Sequence, residues 1–244
     1  MFEFGIIGIF TGFFSGFFGI GGGTILVPTL LYFHLSIKTA IGISVTQMMF
    51  SSLFGSFLNY KKGLLKIDEG VFLGIGGAIG ASLSGIIVSI VNDKFLSYLF
   101  LFILFLSILK FFYSPDKKNK EEINDKLILF FIGFFVGMIA ISVGVGGAVM
   151  ITPILVGLLN YDLKKAVSLS LFFVVFSSTS GFISLSFNNL IDYQKAILVA
   201  IFSLIGTFIG IKLYHKINSK SHKKQLLLWY IFIFILTSIK IIGD

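Results

Sequence analysis

The chain has 244 residues, of which 56% are hydrophobic and only 12% charged, with a mean hydropathy of +1.02. A soluble domain carries about 25% charged residues, so this composition excludes a soluble fold of ordinary make-up. The net charge of +8 is the balance of 19 basic residues, all lysine, against 11 acidic ones, and the lysines lie in short segments between apolar runs; this distribution argues for membrane orientation and against a nucleic-acid face.

In chain order, the first element is an apolar region, Gly5–Phe33, interrupted by glycines and closed by Pro28. The stretch from Met1 to Gly19 is as apolar as a signal peptide, but Glu3 stands where a basic segment belongs, so it is read as part of the mature fold. Uncharged runs then predict membrane spans over Thr39–Leu58, Gly70–Val91 and Phe95–Lys110. A charged stretch, Tyr113–Asp125, follows as a linker. The second part opens on another glycine-broken region, Leu127–Leu159, closed by Pro153, and continues with spans over Ala166–Phe187, Ala196–Ile211 and Leu226–Ile239. Each broken region divides into a piece of about 15 residues and one of about 10, too short for two crossings, since one takes ~20 residues. Each is therefore expected to be a broken helical hairpin.

The lysines decide how those hairpins turn. If each returns to its starting side, 15 of the 19 lysines fall on one side, in the loops around Lys61–Lys66, Lys110–Lys126, Lys164–Lys165 and Lys212–Lys224. Lys38, Lys94, Lys195 and Lys240 remain on the other. The positive-inside rule makes the lysine-rich side cytoplasmic. Each part then crosses three times, an odd number, so the fold expected is an all-α polytopic membrane protein of two inverted-topology repeats. Each repeat is a broken hairpin plus three transmembrane helices, over residues 1–112 and 126–244, with 113–125 as a cytoplasmic linker. The location expected is the cell membrane.

A duplication is visible in the residues themselves. Gly19 to Pro28 matches Ser142 to Pro153, and Lys38, Ala40, Ser44, Ser51, Ser52 and Gly55 match Lys164, Ala166, Ser170, Ser177, Ser178 and Gly181 at a constant offset of 126. Asp68 and Asp192 introduce the next span in each repeat. Paired breaks at matching positions of two repeats point to a transporter's binding site. A helix that starts inside the membrane leaves its first N–H groups unpaired and carries about half a positive charge there. Gly21, Gly22, Gly23 and Thr24 in the first repeat, with Gly144, Gly146 and Gly147 in the second, form the expected cradle for a small anion, with helix pieces starting near Thr24 and Val149.

Ser44, Gln47 and Ser51 lie on the helix after the first break and Ser170 and Ser177 on its counterpart, as a polar lining; the competing reading is that such hydroxyls bond the carbonyl four residues back. The spacings Gly12/Gly16, Gly76/Gly80 and Gly206/Gly210 read as helix packing. Trp229, Tyr230, Tyr60 and Tyr193 read as interfacial anchors, His34 as a solvated loop residue, and Asp68, Glu69 and Asp192 as helix caps. With no Cys, no Arg and three scattered His, no metal site and no cofactor is expected, and no bidentate clamp is available for an anion. No G-x-x-x-x-G-K-[ST] segment occurs, so the drive must come from a gradient or a separate partner.

Two copies of a G-x-G-G-G-x-x-x-x-P-type segment, each followed by a K-x-A-x-x-x-S helix and an Asp-led span with glycines, resemble the TauE/SafE sulfite exporter family, also called the toluenesulfonate uptake permeases. The resemblance covers about Gly5 to Leu213 and implies transport of small sulfur-containing anions such as sulfite, thiosulfate, sulfonates or sulfoacetate. Two departures stand out: Ala148 replaces the third glycine of the second run, and that repeat carries about four additional residues between Gly133 and Gly146. A transporter of another small anion and an intramembrane enzyme acting on a lipid or acyl substrate stay open as alternatives, the second disfavoured because the spans lack acid, base or thiol clusters. The partners expected are a small anion and the lipid bilayer, with the oligomeric state, homo-oligomer included, left open.

Overall fold

A computed structural model describes residues 2–19, 21–63, 65, 67–112, 122–214 and 219–243, and every regular element in them is a helix. The order is α1 Phe2–Phe18, α2 Gly23–Tyr32, α3 Ile37–Lys61, α4 Ile67–Ala81, α5 Ser84–Ile90, α6 Asp93–Phe112, α7 Lys126–Ser142, α8 Ala148–Gly157, α9 Leu163–Phe187, α10 Tyr193–Tyr214 and α11 Ser219–Gly243. Among the described residues five segments are long and apolar enough to cross a membrane: Ile37–Lys61, Gly70–Ile90, Leu163–Phe187, Tyr193–Tyr214 and Lys224–Ile241. The predicted crossing over Phe95–Lys110 is helical within α6 but is not one of the five. Of the predicted linker, 113–121 lie outside the described residues.

The broken regions divide as the glycines predict, into 17 and 10 residues in both repeats. The prolines, however, do not close the short pieces. Pro28 and Pro153 sit inside α2 and α8, which run on to Tyr32 and Gly157. A helical proline gives up the bond to the carbonyl four residues back and crowds that carbonyl with its ring, here at Thr24 and Val149 in the first turn.

The span predicted over Gly70–Val91 is present as Gly70–Ile90, with a turn at Ser82–Leu83 between α4 and α5. Three bonds from α9 satisfy the polar groups around the turn: Ser180 Oγ donates to the Ala78 carbonyl (2.6 Å), Ser184 Oγ donates to the Ser82 carbonyl (2.6 Å), and the Gly85 N–H donates to Ser184 Oγ (2.9 Å). A further correction concerns Trp229 and Tyr230, which the sequence reads as interfacial anchors. They lie well inside α11, where Trp229 stacks on Phe14 at 4.0 Å and Tyr230 is fully buried. Tyr60 and Tyr193 are about half exposed, as interfacial rings should be.

Small residues set the packing. Cβ atoms at Gly12 and Gly16 would overlap the backbone of Ser203 and Thr207 on α10, and those at Gly206 and Gly210 the backbone of α1 at Ile9 and Phe13. The contacts advance together, so α1 and α10 run parallel at backbone-to-backbone distance, and Thr207 Oγ1 donates to the Gly12 carbonyl at 3.2 Å. The same arrangement recurs between α4 and α7, where Gly76 and Gly80 face Phe130 and Phe134, and Gly133 and Gly137 face Leu73 and Gly77. Since lipid supplies no hydrophobic drive between helices, this close approach is the main source of cohesion.

At the centre, α3 and α9 cross with Gly55 against Leu171 and Gly181 facing Val45. The late part of each helix meets the early part of the other, so these corresponding helices run in opposite directions. The repeats interleave: α1 packs on α10, α4 on α7, α2 is covered by α11 and α8 by α6. At the rim, Asp192 accepts the Lys195 N–H at 3.2 Å, capping α10, and pairs with the Lys195 ammonium; that side-chain bond is the main reason its carboxyl lies below the usual carboxylate range. Asp68 is exposed in the first turn of α4, where a carboxylate favours the helix dipole.

Candidate binding site at the paired helix breaks

The two breaks share one backbone conformation. Gly19, Gly21 and Gly22 have φ of 68°, 82° and 79°, and their counterparts Gly144, Gly146 and Gly147 have 74°, 77° and 82°. These left-handed values belong to glycine, which has no Cβ to clash. Gly22 and Gly147 cap α2 and α8 and offer no side chain to the first amides, and all these glycines are buried. The sequence places the two starts within one residue of where they occur, at Gly23 and Ala148.

The breaks meet. Ser44 Oγ on α3 donates to the Gly144 carbonyl of the other repeat at 2.7 Å, and a Cβ at Gly23 would overlap that same carbonyl oxygen. The Met48 thioether fills the space between the glycine runs, within 3.3 Å of where a Cβ on Gly21 would lie and closer still for Gly23 and Gly146; Val174, its counterpart, packs beside Gly21 and Gly146. Met48 was not legible as a site residue. An apolar residue on a membrane helix carries no signal of its own, and only its alignment with the glycine runs gives it meaning.

The breaks also differ. Gly22 faces the side-chain amide of Gln47, with Oε1 2.7 Å from where a Cβ would lie, whereas Gly147 faces the ring of Phe173, the residue matching Gln47 at the offset of 126. Thr24 likewise corresponds to Val149. Gln47 and Thr24 are fully buried, and Thr24 Oγ1 and both polar atoms of the Gln47 amide have no hydrogen-bond partner. A buried polar group left unpaired costs about 1–3 kcal/mol. Two donors, Gln47 Nε2 and Thr24 Oγ1, and one acceptor, Gln47 Oε1, thus stand unpaired beside the glycine-capped start of α2.

The serines divide between the two readings. Ser51 accepts from Ser15 of α1 at 3.2 Å, Ser170 accepts from Thr152 of α8 at 2.9 Å, and Ser177 reaches the Gly146 carbonyl at 3.4 Å while also bonding Phe173. Ser178 bonds the Val174 carbonyl four residues back, a purely helical role. Ser44, Ser51 and Ser177 therefore touch the breaks or the helix leading into one, whereas Ser170 is engaged in helix packing. Among the described residues the buried polar side chains are Ser, Thr, Gln and Asn together with the phenols of Tyr161, Tyr214 and Tyr230, with no carboxylate, imidazole or ammonium in the set, and no cluster suited to a metal occurs. A cavity of about 610 Å³ lies at the far end of α2, lined by His34, Asp93, Lys94 and Lys240, away from the breaks; His34 is exposed there, as a solvated residue should be.

Comparison with known proteins follows the same line. The sequence is 26% identical to the "Probable membrane transporter protein YdhB" of Bacillus subtilis over 81% of this chain and 83% of that one. It is 27% identical to a protein of Methanocaldococcus jannaschii with the same membrane-transporter description, over 88% and 86%. With YunE of Bacillus subtilis, also so described, it shares 22% identity over 98% and 96%. No solved structure matches it. Residues 4–239 match the family described as Sulfite exporter TauE/SafE, and the chain, a multi-pass helical membrane protein, belongs to that family of membrane transporters.

Proposed function

We propose that the protein is a secondary transporter or facilitator for a small sulfur-containing oxyanion of the sulfite, thiosulfate, sulfonate or sulfoacetate type, bound where the two breaks meet. The observation that carries this reading is the buried, unpartnered Gln47 amide and Thr24 hydroxyl beside the glycine-capped start of α2. Neutral donors and a helix N-terminus stabilise an anion without the heavy desolvation of a buried countercharge. The sulfur class rests on family membership. The opposed directions of α3 and α9 support inverted repeats, and the lysine distribution supports a cell-membrane protein with its lysine-rich loops in the cytoplasm. The breaks are closed off from solvent on every side, so passage requires the helices around them to move.

Vesicles carrying the purified protein and loaded with labelled sulfite, thiosulfate, taurine or sulfoacetate test this, with protein-dependent flux of at least one expected. Flux of none would overturn it. Among the described residues the buried set holds no carboxylate, imidazole or ammonium to relay a proton. At fixed membrane potential a pH gradient is therefore expected to leave accumulation of a fully ionised sulfonate unchanged, in wild type and in Asp192→Asn alike. Accumulation driven by the pH gradient and lost in Asp192→Asn would show instead that this carboxylate carries the proton.

A further inference from the structure

Gln47, Ser51, Gly55 and Asn59 follow one another at four-residue steps and form one row along α3. The matching row on α9 is Phe173, Ser177, Gly181 and Leu185. The inner two positions are the same in both, and the outer two are polar on α3 and apolar on α9. Ser56, which flanks the α3 row, corresponds to Phe182.

The polar members on α3 are costly. Ser56 is 6% exposed and Asn59 2%, and neither Ser56 Oγ nor Asn59 Oδ1 has a hydrogen-bond partner. Helical hydroxyls in a membrane usually bond a carbonyl three or four residues back, as Thr46, Ser52 and Ser178 do here. Ser56 does not. Each unpaired group costs about 1–3 kcal/mol, and Phe182 and Leu185 show that this helix pair packs with apolar residues at the same positions. Gln47 to Asn59 spans twelve residues, about 18 Å of helix at 1.5 Å per residue. That carries the row from the first break to the exposed Lys61 and Lys62. Because α9 runs the other way, its row leads from the second break toward the opposite face.

Resting on the transport reading above, we propose that the solute passes between the first break and the Lys61–Lys62 face along this row of α3, with Ser56 and Asn59 as a second binding station that replaces part of its hydration. The corresponding half-path on the other side is an apolar barrier made by Phe173, Phe182 and Leu185. One half of the route is lined by polar groups that hold the anion once the helices around it move, and the other is lined by apolar side chains that must part.

The chain has no cysteine, so single replacements report accessibility without background. Ser56→Cys, Asn59→Cys, Phe182→Cys and Leu185→Cys proteins in vesicles are treated with sulfonatoethyl methanethiosulfonate, an anionic thiol reagent. A parallel denatured sample of each gives its total reactive thiol, and only variants that keep the wild-type melting temperature are compared; Asn59→Ser and Ser56→Ala, melted alongside, show whether the row tolerates change. The expected result is labelling of the α3 thiols at least tenfold faster than the α9 thiols, slowed by added sulfoacetate. Equal rates in the two rows, or α3 thiols that react only after denaturation, overturn the proposal. Because labelling needs no transported substrate, failure of every sulfur anion in the flux assay would overturn the substrate reading and leave this one to the labelling rates.

Discussion

Replacing Gln47 by Leu is expected to lower anion flux by at least about tenfold while leaving the protein as stable as wild type or more so. The two effects have opposite sign because the Gln47 amide lacks partners in the structure described here. Removing an unsatisfied buried amide relieves a cost of about 1–3 kcal/mol, and Leu fills nearly the same volume. A hydrogen bond to an anion is worth about 1.5–3 kcal/mol, and each 1.4 kcal/mol is a factor of ten, so losing it lowers affinity roughly 10- to 150-fold. Thr24→Val is expected to act in the same direction. Unchanged flux at low substrate concentration, or a fall in melting temperature, would show that the amide serves packing.

The second large effect is expected at Gly23. Its backbone is helical, so alanine meets no conformational penalty there, yet its Cβ would overlap the Gly144 carbonyl and press on Ser44 Oγ at 2.8 Å. Gly23→Ala therefore forces the breaks apart. Overpacking costs about 1–3 kcal/mol, and loss of the Ser44–Gly144 bond adds about 1 kcal/mol. At about 2–4 °C per kcal/mol for a chain of this size, a fall of roughly 5–15 °C is expected. Ala148→Gly, at the matching position, exchanges a tolerated methyl for glycine and is expected to cost only about 0.5–1 kcal/mol. Melting curves of both purified variants check the contrast, and equal shifts would contradict it. The Gly22 and Gly147 positions are less informative, since φ near +80° strains any side chain there, whatever it touches.

The breaks were legible because glycine is the one residue whose local conformational freedom survives a membrane setting, and a run of it inside an apolar stretch has few other uses. The matching order of glycines, lysines and serines along the chain was legible from register alone. What the residues did not disclose is non-local. The turn at Ser82–Leu83 exists because Ser184, a hundred residues away, exchanges hydrogen bonds with it. Pro28 and Pro153 suggested helix ends, but helices covered by α11 and α6 tolerate them. Tyr230 looked interfacial because amphipathic rings usually are, and α11 instead packs it inward. The inequality of the two breaks was available in principle, since Phe173 stands opposite Gln47 at the same offset as the serines; it becomes decisive only once both are seen against the capping glycines.

The account turns on an anion held at the first break. The most direct measurement is an anomalous-scattering crystal structure of the protein grown with selenite, the heavier relative of sulfite. An anomalous peak is predicted within hydrogen-bonding distance of the Gln47 amide and Thr24 Oγ1, and a second, weaker one at Ser56 and Asn59 is compatible with the route along α3. A peak only among the lysines of the outer rim, or bound selenite that persists unchanged in Gln47→Leu, would contradict it.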